Sequence, residues 1–553
     1  MILNLGNIDI DPSQYNALAK RIESILTGQK NIFDIDAELE KHANNAAKKI
    51  FKKQAQEISS DTDSDFQNID TKSLEVHSPQ SLGAEYICHS IWKELKLNEF
   101  FKSNGVSEHV TPIIESLVVG RLIEPASERH TKTWVENRSA LYELTGFPLR
   151  RSLNSYYRAG DKLYSLKDAI ENHLSSKERD LFSLTEKMFF FDLTNTYFEG
   201  EALKNPKAKR GRSKEKRSDC KLVTLGLIID EAGFSKYSRV FPGNQSEPKT
   251  LETMIKELEN KTCSKDVKHT IVMDAGIATS ENLKFLKENN YHYIVVNRGK
   301  VPFNKDYTDM KVIREDPAKG IKIEIKRFIE EDEIYIFCKS EKKKDKESSM
   351  RNRVENLFLE KMEYYRDGLL KPRRMKNYKK IMEVIGRLKE KYPKAAKLYN
   401  IEVVPEKDKL SDDPKLCVVD IKWEKKDSLY EKEIEGEGSY ILRTDRLDLS
   451  DKEIWETYIM LGRIEYAFKC MKSHLGLRPN FHQVEDRVDA HLFISVLAYH
   501  ILNIVEYRMR YKGDHSSWAT IRDISKTGVK SDPITKKKTF SAGVVTTLFV
   551  NCW

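Results

Sequence analysis

Met188-Phe189-Phe190-Phe191-Asp192-Leu193 is a short apolar run broken by a single carboxylate. A stretch this short and this apolar reads as a strand buried on both faces. Thr270-Ile271-Val272-Met273-Asp274 repeats the pattern and again meets an Asp. Between them lie a strand from Leu222 to Ile229, a turn at Glu231-Ala232-Gly233 and another strand to Val240. Ser246 is placed to cap a helix that carries Pro248 in its first turn and runs to about Asn260. A helix over 280–289 and a strand from Tyr291 to Asn297 complete a β-β-β-α-β-α-β order. Strands joined through helices imply an α/β fold, a mixed sheet with parallel members.

Both Asp residues end or interrupt their apolar runs. In an open α/β sheet the carboxyl ends of adjacent strands form the usual crevice for chemistry. Two ionised carboxylates brought together there repel unless a cation or a shared proton compensates. Mg²⁺ suits such a place, since it takes few carboxylates, keeps several waters and pairs with phosphate oxygens. A third carboxylate lets two ions clamp the attacking and leaving oxygens of a phosphoryl displacement. An Asp at a strand end, taken alone, is more often a turn former or helix cap.

Glu465 is the natural third member. Ser450 and Glu453 have capping-box spacing, so a helix starts at Asp451 and is expected to run to about Lys472. Positions seven apart on a helix lie almost above one another, so Tyr458, Glu465 and Lys472 share a face, with Phe468 and Lys469 beside it. The alternative is a solvated Glu–Lys face. A second helix covers about Asp486 to Arg510, and its apolar stretch Leu492–Val505 is too short to span a bilayer and reads as buried.

At 553 residues the chain needs several cores, and 39% hydrophobic and 10% aromatic residues can supply them. The net charge of +9 is local in origin. The segment Lys204–Arg217 holds eight Lys/Arg and one acid, and block 341–400 holds 19 Lys/Arg against nine Asp/Glu. Such runs suit phosphate-backbone contacts, or serve simply as solvated surface. Seven scattered cysteines without a CxxC pair argue against zinc and disulfide frameworks and fit a reducing cytoplasm. The N-terminus lacks the features of a signal peptide, and no membrane association is expected. The segments are 1–75, polar and helical with a linker at Ser59–Ser73; 76–185, helical; 186–300 and 441–512, two parts of the α/β core; 301–440, a β-rich insertion with basic helices; and 513–553, a tail without assignment. Trp92, Trp134 and His130 read as packing residues. His474 and His482 read as structural hydrogen-bonding groups near the site.

From about Leu82 to Tyr511 the chain resembles bacterial insertion-sequence transposases of the DDE, RNase H-like superfamily, the IS-four type and close relatives. The most specific match is Tyr458-Ile-Met-Leu-Gly-Arg-Ile-Glu465-Tyr-Ala-Phe-Lys-Cys-Met-Lys472, followed by Leu477-Arg478-Pro479 and His482. That group's signature sets Tyr, Arg, Glu and Lys at spacings of two, three and six residues. Its Arg position is Leu461 here, with Arg463 two residues later. Phe191-Asp192-Leu-Thr194, Gly211-Arg-Ser-Lys to Leu225-Gly226-Leu227, Phe241-Pro242-Gly243-Asn244 and Val272-Met273-Asp274-Ala275-Gly276 resemble its core strands in order.

The resemblance implies an RNase H-like mixed sheet with flanking helices, interrupted by the insertion, behind an α-helical DNA-binding region. It further implies Mg²⁺ or Mn²⁺, as two ions, on Asp192, Asp274 and Glu465. Cleavage at element ends and joining of the 3′-hydroxyl to target DNA would follow. Tyr458, Arg463, Lys469 and Lys472, with Lys209, Arg210 and Arg212 of the basic segment, would contact double-stranded DNA. A homodimer on paired ends, in a bacterial cytoplasm at the nucleoid, is the implied setting. A metal-dependent nuclease without strand transfer, or an inactive DNA-binding relic of an element, are the competing readings. The tail, unlike the family's usual ending, is what gives the relic weight.

Overall fold

The computed structural model describes residues 10–26, 36–58, 75–215, 217–259, 268–297, 309–406, 416–525, 529–534 and 542–543. The expected linker at Ser59–Ser73 and most of the tail beyond Ser525 lie outside them. The chain divides into two compact units, Met1–Val76 with Pro533–Phe540, and His77–Asp532 with Ser541–Trp553. In the first, helices Tyr15–Leu26 and Ala37–Ile58 pack Leu18 against Leu39 and Ala43, and Arg21 pairs with Glu40 at 2.6 Å.

The second unit is built on one nine-stranded sheet. Its strands are β1 (Met188–Tyr197), β2 (Leu222–Asp230), β3 (Ser235–Pro242), β4 (Thr270–Met273), β5 (His292–Val296), β6 (Lys311–Asp316), β7 (Ile321–Glu330), β8 (Glu333–Ser340) and β11 (Ser439–Thr444). A separate pair, β9 (Tyr399–Pro405) and β10 (Val418–Lys425), stands in the insertion. The sheet order is β3-β2-β1-β4-β5-β11-β8-β7-β6, with β1, β4 and β5 parallel and the remaining neighbours antiparallel. An antiparallel meander followed by two parallel strands is the RNase H-like order, preceded here by a helical region over residues 83–182.

The insertion is less separate than its sequence suggests. Its hairpins β6–β8 do not form their own domain but extend the core sheet, joined to it through β11 against β5. Backbone pairing at the β5 edge makes this favourable, since an unpaired edge leaves donors and acceptors exposed. The remainder is a helical arm, Glu341–Leu369 and Tyr378–Lys391, whose Phe358, Met362, Ile381 and Ile385 form a small core with the β9–β10 pair. Towards the end of this β-rich stretch Asp427–Glu435 is a helix with no buried residue, and the next strand begins only at Ser439.

The two sheet faces are covered differently. Phe189, Phe191, Leu193, Ile271 and Met273 face helices Leu251–Glu259 and Ser280–Glu288. Phe190, Leu225, Leu227, Val272 and Ile294 face the larger core, with helices Gly462–Ser473 and Glu485–Tyr511. The latter is apolar enough to cross a membrane by composition, but its apolar window is fully buried within the protein. Ser246 does not cap through its side chain. The chain instead enters by a 3₁₀ turn, Glu247–Thr250, before the helix at Leu251.

Lys236 pins three elements beneath this face. Its side chain is fully buried, with Nζ 2.9 Å from Glu186 Oε1, 3.2 Å from Asp230 Oδ2 and 3.9 Å from Glu178 Oε2. Glu178 also meets His500 Nδ1 of the central helix at 2.5 Å. Removing the ammonium strands buried carboxylates, so Lys236→Met should cost about 3–5 kcal/mol in urea unfolding. The loss should shrink as pH falls and those carboxylates take up protons. A variant as stable as the parent at neutral pH would contradict this.

Candidate active site

Parallel pairing of β1 with β4 sets Phe191 beside Met273, so the next residues, Asp192 and Asp274, emerge side by side. Side chains alternate along a strand, which puts Asp192 on the face of Phe190 and Asp274 on that of Val272. That is the face covered by the Gly462–Ser473 helix, through Ile464, Ala467, Phe468 and Met471. β4 ends at Met273 while β1 runs on to Tyr197, held by β2, so Asp192 interrupts its strand and does not end it.

The side chain of Asp192 is 21% exposed, and burial pushes its carboxyl from 3.8 up to about 6. Lys214 opposes that shift, and the charges of Glu247 and Asp274 add to it. Asp274 is exposed, and its Oδ1 accepts from the Ala275 N–H at 2.7 Å. Tyr458 ties Glu465 into the group. Burial first, and then the charges of Asp274 and Glu465, raise its phenol to about 12. Lys472 lies within reach of Lys214 and Asp192, its ammonium lowered first by burial and then by Lys214, while Asp192 works the other way.

Two sequence expectations about this helix change. The expected continuous helix from Asp451 to Lys472 is two, Asp451–Ile459 and Gly462–Ser473. Between them Met460 and Leu461 keep right-handed helical dihedrals but use i→i+3 bonds, Leu461 N–H to Tyr458 O and Ile464 N–H to Leu461 O. A local 3₁₀ turn of this kind breaks the 3.6-residue period on which a shared face of Tyr458 and Glu465 rested. Tyr458 still feels the charges of both Asp274 and Glu465 across the turn. Leu461, at the signature's Arg position, is buried. Arg463 points elsewhere, into a cavity of about 440 Å³ lined by Tyr466, Tyr499, Asn503, Tyr507 and Arg510. Lys469 stands exposed one turn beyond Glu465, and Lys209, Arg210 and Arg212 are exposed on the basic segment.

That segment brings in residues the sequence did not single out. Gly243 N–H donates to Lys207 O, and Lys209 bridges Leu222 at the start of β2. A Cβ on Gly243 would overlap the carbonyl oxygens of Leu222 and Lys209, and one on Gly211 that of Gly243, so this crossing requires glycine at both positions. Asn195 then accepts from the Lys214 N–H at 2.9 Å. Lys214 Nζ lies 3.7 Å from Asp192 Oδ1 and 3.6 Å from Glu247 Oε1, and it donates to Leu193 O. Glu215 pairs with Lys472 at 3.5 Å and with Arg478. After the Glu465 helix the chain is pinned to the end of β1, Thr196 Oγ1 donating to Leu477 O and Asn480 N–H to Tyr197 O. Spacing alone could not show that the basic segment folds back along β1. Its single acid, Glu215, was the available signal.

A transposase DDE domain model matches residues 189–501, more than half of the chain. The chain belongs to that family. The matched span runs from β1 into the central helix and holds all three carboxylates. No curated protein matches the sequence. Among solved structures, the chain is similar to a piggyBac transposase synaptic complex with hairpin DNA, at 8% identity and a TM-score of 0.33, over 76% of this chain and 70% of that one. The Mos1 transposase paired-end complex follows at 9% identity and 0.15, over 51% and 74%.

The donor set fits a hard divalent ion, all oxygen, with one member whose ionised form is costly as it stands. Among the described residues, the trio whose ligand atoms lie within 4.8 Å of one another is instead Glu128, His482 and His491. There the guanidinium of Arg121, buried and 2.6 Å from His491 Nδ1 and 3.8 Å from Glu128, already supplies the positive charge. That trio is a buried polar junction between the helical region and the core. His482 thus has a structural partner, as expected, whereas His130 is not a packing residue. It meets Glu124 at 2.7 Å and is half exposed.

A carboxylate whose folded value lies above its ordinary one costs stability once ionised. Asp192→Asn should therefore raise the melting temperature above pH about 6, with the gain gone below pH about 4. Mg²⁺ should stabilise the parent above pH about 6, less so as pH falls through that value, and not the variant. Equal Mg²⁺ stabilisation of both proteins would show that Asp192 holds no ion.

Proposed function

We propose that this protein cuts double-stranded DNA at the ends of a mobile element and joins the freed 3′-hydroxyl to target DNA. The observation that carries this is the emergence of Asp192 and Asp274 side by side on the sheet face that the Glu465 helix covers. Asp192, Asp274 and Glu465 would hold Mg²⁺ or Mn²⁺, which when bound neutralises charge on the reacting phosphate and activates its attacking oxygen. Water attacks phosphorus and a 3′-oxygen leaves. That 3′-hydroxyl then attacks a target phosphodiester and displaces another 3′-oxygen, so each bond made replaces one broken.

The chain's own groups bind and orient. Lys472 and Arg478, at the end of the Glu465 helix and just beyond it, lie where a DNA phosphate beside the carboxylates would be met. Tyr458 keeps its proton at neutral pH and offers a donor between Asp274 and Glu465. Lys209, Arg210 and Arg212 extend a basic track away from the site. Action as a homodimer on paired element ends, inside a bacterial cell, belongs to the same reading.

Asp274→Asn should abolish Mg²⁺-dependent cleavage of DNA carrying the element ends while leaving DNA binding within about twofold, because the loss falls on ion binding rather than phosphate contacts. Unchanged cleavage would remove Asp274 from the site. Joining of 3′ ends to a target plasmid separates the transposase from a simple nuclease, which would cut without joining. Inverted repeats flanking the gene would identify the ends to test.

A further inference from the structure

The basic segment occupies both halves of the site it borders. Its Lys214 places an ammonium between Asp192 and Glu247, where carboxylates otherwise face one another uncompensated. The very next residue, Glu215, places a carboxylate between Lys472 and Arg478. All three are mostly enclosed, with side-chain exposures of 24% for Glu215, 16% for Lys472 and 30% for Arg478. Two cations that converge on one oxygen, beside a carboxylate cluster, form an anion subsite, and its occupant here belongs to the chain itself. The segment is held to β1 and β2 by backbone bonds at Lys207 and Lys209, by Asn195 at Lys214 and by Arg217 against Glu199 and the Tyr197 ring, whereas Lys472 and Arg478 sit on the separately held Glu465 helix and its exit. The charge-bearing tips can therefore part without unfolding either element.

We propose that Glu215 is an intramolecular stand-in for a DNA phosphate, closing the Lys472–Arg478 subsite until nucleic acid displaces it. This rests on the DNA-cleaving reading above and adds a gating residue to that site. Phosphate entry exchanges one anion for another on the same two cations, so the subsite is never left uncompensated. The exchange makes DNA binding weaker than the cations alone would give. It also frees Glu215, and with it Lys214, to withdraw from Asp192 as the carboxylates take up their ion. Glu215 acts through Lys472 and Arg478 and touches no reacting atom, so it is a positioning residue.

The test is equilibrium binding of the full-length protein to a short fluorescein-labelled duplex of arbitrary sequence, in metal-free buffer across a salt series. Glu215→Gln should bind roughly tenfold tighter at low salt, because the entering phosphate no longer has to displace a carboxylate from the two cations. Glu215→Asp, which keeps the charge, should bind within about twofold of the parent. In a Lys472→Ala, Arg478→Ala background, Glu215→Gln should gain nothing. Equal or weaker binding by a folded Glu215→Gln, checked by circular dichroism, overturns the gate, as does a gain that survives loss of both cations. If the parent binds duplex DNA and only the Glu215 effect is missing, the gate alone falls. If neither parent nor variant binds DNA, the reading beneath it falls too.

Discussion

Repulsion between Asp192 and Asp274 is the constraint to which the rest of the site answers. Their proximity is not optional. It follows from backbone pairing of Phe191 with Met273, and only a register slip could separate them. A one-residue slip would turn each strand's apolar set inside out, so two hydrophobic faces hold the carboxylates together. What surrounds them is compensation. Lys214 is brought over by a loop that needs glycine at 211 and 243 to cross the sheet, and Lys472 arrives on a helix buried through its other face.

The helical region and the core are joined by buried polar contacts as well as apolar packing. Glu178 and Glu186 flank Lys236 of β3, and His500 of the central helix closes the same cluster. Arg121 reaches Gly476 O and His491, while Glu128 meets His482 just past the Glu465 helix. The Trp518 indole donates to Leu122 O, so the chain after the central helix returns to the helical region. Buried charges of this kind are worth little as net stability, yet each is costly to leave alone, and so they enforce one relative placement of the elements they bridge. The exit of the Glu465 helix lies within such a junction. Its position depends on residues far from it in sequence.

Much of this was legible before folding. The apolar runs ending at Asp192 and Asp274 pointed to buried strands, and the capping box at Ser450 and Glu453 forms as spaced, each side chain bonding the other's backbone N–H. What misled was periodicity taken past its range. A regular helix from Asp451 to Lys472 assumed one hydrogen-bond pattern throughout, and the switch to i→i+3 bonds at Met460–Leu461 leaves no mark in an apolar pattern. Within the insertion expected to be β-rich, Asp427–Glu435 is a helix that buries no residue, so its few apolar side chains carry no packing signal. The β-rich character of the insertion was read, but not that its strands join the core sheet, because an open strand edge is indifferent to how far away in sequence its neighbour lies.

Local chemistry along the chain determined which residues could serve. It named three carboxylates, a tyrosine and a lysine, each beside apolar neighbours strong enough to set a strand or a helix. Tertiary structure alone decided which of the many basic residues stand among them. Arg463, two residues from Glu465, faces a different cavity, while Lys214, Glu215 and Arg478 come to the site from outside its strands and helix. The physical reason is that burial periodicity is written locally, residue by residue, whereas charge pairing acts through space between segments whose proximity depends on the whole sheet.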